Sequence, residues 1–123
     1  MSSKPTKPTI LICDDEEGIR ESLKLILGDL YHLRFAMNGI EALETLKTFT
    51  PHLMLLDIKM PKQHGMDVLK QVKAAKPGLP VIIVTGYQSV EMAQEALKNG
   101  AANYIPKPFD SKHILKVVAS TIK

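Results

Sequence analysis

The chain has 123 residues, 45% hydrophobic and 24% charged, which allows one domain with one good core in an ordinary soluble globular protein. Its formal charge is +3, but Lys4 and Lys7 supply two of those three charges, and no basic cluster with interleaved aromatics argues for direct nucleic-acid binding. No apolar run approaches the ~18 residues of a membrane span, and the single Cys13 excludes an internal disulfide and agrees with a reducing compartment.

Residues 1–8 are polar and carry Lys4, Pro5, Lys7 and Pro8, with no apolar signal-peptide core. They are expected to form a flexible tail of a cytoplasmic protein, ahead of a domain over 9–123. Ile10–Cys13 is the first buried-strand candidate, and Cys13 there is expected to act as a small buried hydrophobe. Asp14-Asp15-Glu16-Glu17 follow, then a helix with Ile19, Leu23, Ile26, Leu27 and Leu30 at helical spacing. Glu16 and Glu17 suit the positive end of that helix dipole and need no other role.

Tyr31–Ala36 mostly alternates polar and apolar, as an edge strand does. Asn38 and Glu41 form a capping-box pair before a helix whose inner stripe is expected to be Ile40, Leu43 and Leu46. Leu53–Leu56 is a continuous apolar run that ends in Asp57, the pattern of a strand buried on both faces of a parallel sheet. A third helix is predicted to bury Met66, Leu69 and Val72, and Pro77-Gly78 breaks it. Val81–Val84 is the next buried strand and stops at Thr85-Gly86. Ser89 caps a fourth helix with Ala93, Ala96 and Leu97 inward and Gly100 as its stop. Ala102–Ile105 is a short last strand closed by Pro106-Lys107-Pro108. Asp110 caps a final helix carrying Ile114, Val117, Val118 and Ile122.

Strands and helices alternate five times, which predicts an α/β fold with helices on both faces of a five-stranded parallel sheet. A flavodoxin-like (βα)5 sandwich of strand order 2-1-3-4-5 places the alternating second strand at one edge and the short fifth at the other. Ligands bind at the carboxyl ends of strands in such sheets. Four of those ends carry polar groups: Asp14 and Asp15, Asp57, Thr85 and Lys107. Carboxylates this close repel unless a cation is present. Their hard oxygens suit Mg²⁺, which keeps waters and completes its shell with phosphate oxygens. A hydroxyl and an ammonium opposite the metal can hold the other phosphoryl oxygens. The combined chemistry is phosphoryl transfer to a carboxylate, with Asp57 as nucleophile.

These residues resemble the receiver domain of two-component response regulators, over about Thr9 to Ile122. The resemblance rests on Asp14-Asp15, Asp57, Met60-Pro61 with Gly65, Thr85-Gly86 and Lys107-Pro108, each in order at a strand end. It implies a signalling domain rather than an enzyme, with Asp57 accepting a phosphoryl group from a sensor histidine kinase or a histidine phosphotransfer protein. Asp15, Asp57 and the backbone carbonyl of Lys59 would ligate Mg²⁺ directly, with Mn²⁺ as a substitute; Asp14 would act through water. Thr85 and Lys107 would bind the phosphoryl oxygens, the Lys107–Pro108 bond would be cis, and Tyr104 would be the switch aromatic.

Output would pass through the face of the fourth helix, fifth strand and fifth helix to an effector or output domain, in a monomer or a phosphorylation-dependent dimer. Lys59 and Tyr87 are the neighbours expected to influence the lifetime of the aspartyl phosphate. A different class is a Mg²⁺-dependent hydrolase using an aspartyl-phosphate intermediate. Phosphatases of the haloacid-dehalogenase type usually carry Asp-x-Asp after the first strand, where this chain has Asp14-Asp15.

Overall fold

The computed structural model describes residues 7–60, 63–86 and 89–122. Most of the expected tail, together with Pro61, Lys62 and Tyr87, lies outside the described residues. The five strands are β1 (Thr9–Cys13), β2 (His32–Ala36), β3 (Leu53–Leu56), β4 (Val81–Thr85) and β5 (Asn103–Pro106). They form one parallel sheet in the order 2-1-3-4-5. The helices are α1 (Glu17–Leu27), α2 (Gly39–Thr48), α3 (Gly65–Ala75), α4 (Val90–Lys98) and α5 (Ser111–Ile122).

Side-chain alternation along the strands divides the core into two layers. Leu11, Met54, Leu56 and Ile83 face α2, α3 and α4, where they meet Leu46, Leu69 and Ala96. Ile10, Ile12, Leu55 and Ile82 face α1 and α5, where they meet Leu23 and Ile114. Both faces are covered, so β1, β3 and β4 read as unbroken apolar runs. β2 is the edge strand, and its His32, Arg34 and Phe35 are exposed.

Three helix caps form as the sequence predicts. Asn38 Oδ1 accepts from the Glu41 amide at 2.8 Å, Ser89 Oγ from the Met92 amide at 3.3 Å, and Asp110 Oδ2 from the His113 amide at 3.2 Å. The reciprocal bond of the capping box goes one residue further back than expected, from the Met37 amide to Glu41 Oε1 at 2.9 Å. Gly100 follows α4 with φ 103°, a conformation that favours glycine.

Three expected inward residues face solvent instead. Leu30 is exposed because α1 ends at Leu27 and the chain turns there, with the Leu30 and Tyr31 amides both bonded to the Leu27 carbonyl. Ile40 and Leu97 are exposed because α2 and α4 approach the sheet through smaller residues, Gly39 and Ala42 in one and Ala96 in the other. Each lies one residue, about 100° of helical rotation, from that contact. α3 buries Met66, Leu69 and Val72 as predicted, and Val68 as well. Beyond β3, Lys59–Met60 and Gln63–His64 form a two-residue antiparallel ladder, which the sequence reading did not anticipate.

Register sets the site. Cys13 lies opposite Leu56, and the ladder continues one residue past it through the Asp57 amide to the Cys13 carbonyl at 3.0 Å. The Asp14 amide likewise reaches the Ala36 carbonyl at 3.0 Å, and the Lys107 amide reaches the Thr85 carbonyl at 2.8 Å. The residues just beyond the strand ends are therefore fixed by the same backbone bonds as the sheet.

Candidate functional site

Asp14 and Asp57 stand side by side at the carboxyl ends of β1 and β3, each with its side chain only 3% exposed. Lys107 enters from the end of β5. Its Nζ donates to Asp14 Oδ2 at 2.8 Å, to Asp57 Oδ2 at 3.0 Å and to Glu16 Oε1 at 2.8 Å. Backbone amides hold the other oxygens of the two buried carboxylates. The Glu16 amide donates to Asp14 Oδ1 at 2.9 Å, and the Lys59 amide to Asp57 Oδ1 at 2.8 Å. Every oxygen of both carboxylates thus has a donor, as buried charge requires. Arg20 on α1 steadies the same loop by donating from Nη1 to the Asp14 carbonyl at 2.9 Å.

The electrostatics follow from this crowding. Burial pushes the Asp14 carboxyl above its ordinary range, and the Lys107 bond only partly offsets it. Burial alone would lower the Lys107 ammonium, but bonds to Asp14, Glu16 and Asp57 outweigh it and carry it above the usual lysine range. Lys107 in turn holds the Glu16 carboxyl below its ordinary value. Cys13, one residue from Asp14, is pushed up to about 12 by burial first and then by Asp14 and Asp57. It is a buried neutral thiol, as expected.

A cavity of about 470 Å³ opens over the group, with Asp15, Glu16, Asp57, Lys59, Gly86 and Lys107 in its lining. A larger groove of about 580 Å³ lies between α2 and α3, away from these residues. Thr85 is fully buried at the end of β4, adjoining the cavity through Gly86. Tyr104 is half-buried on β5, packed against the layer that contains Ala96. Its phenol is pushed up by burial and then by the charge of Asp57. The Lys107–Pro108 bond is cis, as the resemblance implies.

The structure therefore brings Asp14, Asp57 and Lys107 into direct contact and places Asp15 and Lys59 on the same cavity. The residue missed in the sequence is Glu16. Its carboxylate, with those of Asp14 and Asp57, offers donor oxygens that all lie within 4.8 Å of one another. The signal was present as a third consecutive acid, but the helix dipole already accounted for it.

This fold and its acidic strand-end cluster define a class of α/β domain whose polar groups gather at the carboxyl ends of a parallel sheet. Residues 10–119 match the response regulator receiver domain, and the chain belongs to that family of two-component signalling domains. It is 41% identical over 102 residues, 82% of its length, to the transcriptional regulatory protein ZraR of Klebsiella oxytoca. It is 39% identical over 114 residues, 92% of its length, to the DNA-binding transcriptional regulator NtrC of Escherichia coli. The chain spans 23% and 24% of those two regulators. Among solved structures it resembles a CheY-like response regulator receiver domain protein of Methanospirillum hungatei, with a TM-score of 0.90 and 33% identity over 95% of this chain and 94% of that one. Domains of this family are signalling modules rather than conventional enzymes, which speaks against the hydrolase alternative. No helix among the described residues is long and apolar enough to cross a membrane.

Proposed function

We propose that Asp57 is the phosphoacceptor of a cytoplasmic phosphorelay, taking its phosphoryl group from the phosphohistidine of a sensor histidine kinase or histidine phosphotransfer protein. The observation that carries this reading is the Lys107 ammonium bonded to both buried carboxylates at the strand ends. In the reaction an Asp57 oxygen supplies the electron pair of the new O–P bond. The N–P bond of the donor breaks, and its pair stays on the imidazole, which takes up a proton. The product is an acyl phosphate on Asp57.

The chain's own groups prepare this step. The Lys59 amide on Asp57 Oδ1 fixes the rotation of the nucleophile. Lys107 is poised to transfer from the Asp57 carboxylate to a phosphoryl oxygen, and Thr85 on the adjoining strand end supplies a hydroxyl. The donor set fits a hard divalent ion: the Asp14, Glu16 and Asp57 carboxylates converge, Asp15 lines the same cavity, and the burial that raises Asp14 is the stress a cation would relieve. Asp15, Asp57 and the Lys59 carbonyl would hold Mg²⁺ or Mn²⁺, with Asp14 behind them. Bound there, the ion would neutralise the charge of donor and acceptor oxygens during transfer.

The added phosphoryl charge then biases Thr85, Lys107 and Tyr104 toward a second, pre-existing arrangement. That shift alters the α4–β5–α5 face, which engages an effector or output domain. Similarity to the regulators ZraR and NtrC supports transcriptional control as the output.

Acetyl phosphate with Mg²⁺ should add one labile phosphoryl group, read by intact mass. Asp57→Asn should abolish the adduct. An unchanged mass of the wild-type protein, or an adduct that survives Asp57→Asn, would overturn the assignment.

A further inference from the structure

We propose that Glu16 is a positioning residue that competes with the incoming phosphoryl group for the Lys107 ammonium and so restrains phosphorylation. This inference rests on the phosphoacceptor reading of Asp57. Lys107 is shared by three carboxylates, and an ammonium has three protons to give. Two of those carboxylates are held at both oxygens. Asp14 and Asp57 are each 3% exposed, and a backbone amide holds the second oxygen of each. Glu16 is different: its side chain is 60% exposed, so water is ready to solvate its carboxylate when it leaves. A phosphoryl group on Asp57 also brings negative charge into the cavity that Glu16 lines. The Glu16 carboxylate lies within 4.8 Å of the Asp14 and Asp57 oxygens, where repulsion from that charge favours its departure.

The helix does not need this carboxylate. Glu16 occupies the N-cap position of α1 but makes no side-chain cap bond there; its carboxylate goes to Lys107. Its backbone amide, bonded to Asp14 Oδ1, keeps the residue at the site whatever its side chain does. The result is a latch that is closed in the unphosphorylated domain and opened by the phosphoryl group.

The test measures affinity for beryllofluoride, a phosphoryl mimic, by titration calorimetry at saturating Mg²⁺. Glu16→Gln should tighten binding roughly two- to fivefold, the worth of a solvent-exposed ion pair expressed as affinity, and should speed labelling by acetyl phosphate. Glu17→Gln removes an equal charge one residue on, outside the cavity lining, and should leave the affinity unchanged. A purely structural role for Glu16 would not tighten anion binding. Equal affinity in wild type and Glu16→Gln, or an equal gain from Glu17→Gln, would overturn the latch. A wild-type protein that binds no beryllofluoride would overturn the phosphoacceptor reading and the latch with it.

Discussion

Cys13 is the last residue of β1 and Asp14 the next along the chain, both buried, yet they belong to regions held together in different ways. Cys13 closes the apolar interior, where Leu11, Met54, Leu56 and Leu69 fill space against one another. Asp14 opens the polar rim, where a single ammonium bridges the two buried carboxylates. The interior gains from every apolar surface removed from water. The rim incurs the cost of dehydrating charge and is tolerable because Lys107 and two backbone amides meet the carboxylate oxygens. The apolar layer beneath the site thus contributes stability without charge, and the charged groups of the candidate site lie together in the rim above it.

Three measurements can sharpen or break that contrast. The largest effect belongs to volume in the interior. Leu69→Ala should cost about 4 kcal/mol in urea denaturation, because Leu69 is fully buried on α3 between sheet and helix layer. Next comes the bridging cation. Lys107→Met, measured in EDTA, should cost roughly 3 kcal/mol by leaving Asp14 and Asp57 facing each other without it. A variant as stable as wild type would mean that the cation does not hold the rim.

The effect that is smallest at each step, read one pH unit at a time above 9.0, separates the two neighbours by pH. The unfolded chain ionises its Cys13 thiol near 9.0, whereas the folded thiol waits until about 12. The thiol's contribution is complete below pH 9.0 and is lost as pH rises toward 12, at about 1.4 kcal/mol per unit. Cys13→Ala should flatten the alkaline slope of stability by that amount. Parallel slopes for the two proteins would show that Cys13 is not sealed in the interior.

The interior was legible because burial on both faces leaves unbroken runs such as Leu53–Leu56, and runs bounded by turns define strands. The rim was legible in Asp14, Asp57 and Lys107 because a parallel sheet gathers the carboxyl ends of its strands. Glu16 was not, since its partner lies 91 residues away and a nearer explanation satisfied its charge. Ile40 and Leu97 misled for the opposite reason. Large apolar residues dominate a periodicity count, whereas helices dock through glycine and alanine where the backbone must come close.

α4 carries that economy furthest. Ala96 is its one buried residue, while Val90 and Leu97 are 70% and 50% exposed. So small an anchor gives the helix a low free energy of local opening compared with α3, whose inner face buries Met66, Val68, Leu69 and Val72. Its amides should exchange with deuterium ahead of those of α3 under native conditions. A segment that loosened on its own in this way, without disturbing the strands beneath it, would give the domain a moving part whose motion does not put the fold at risk.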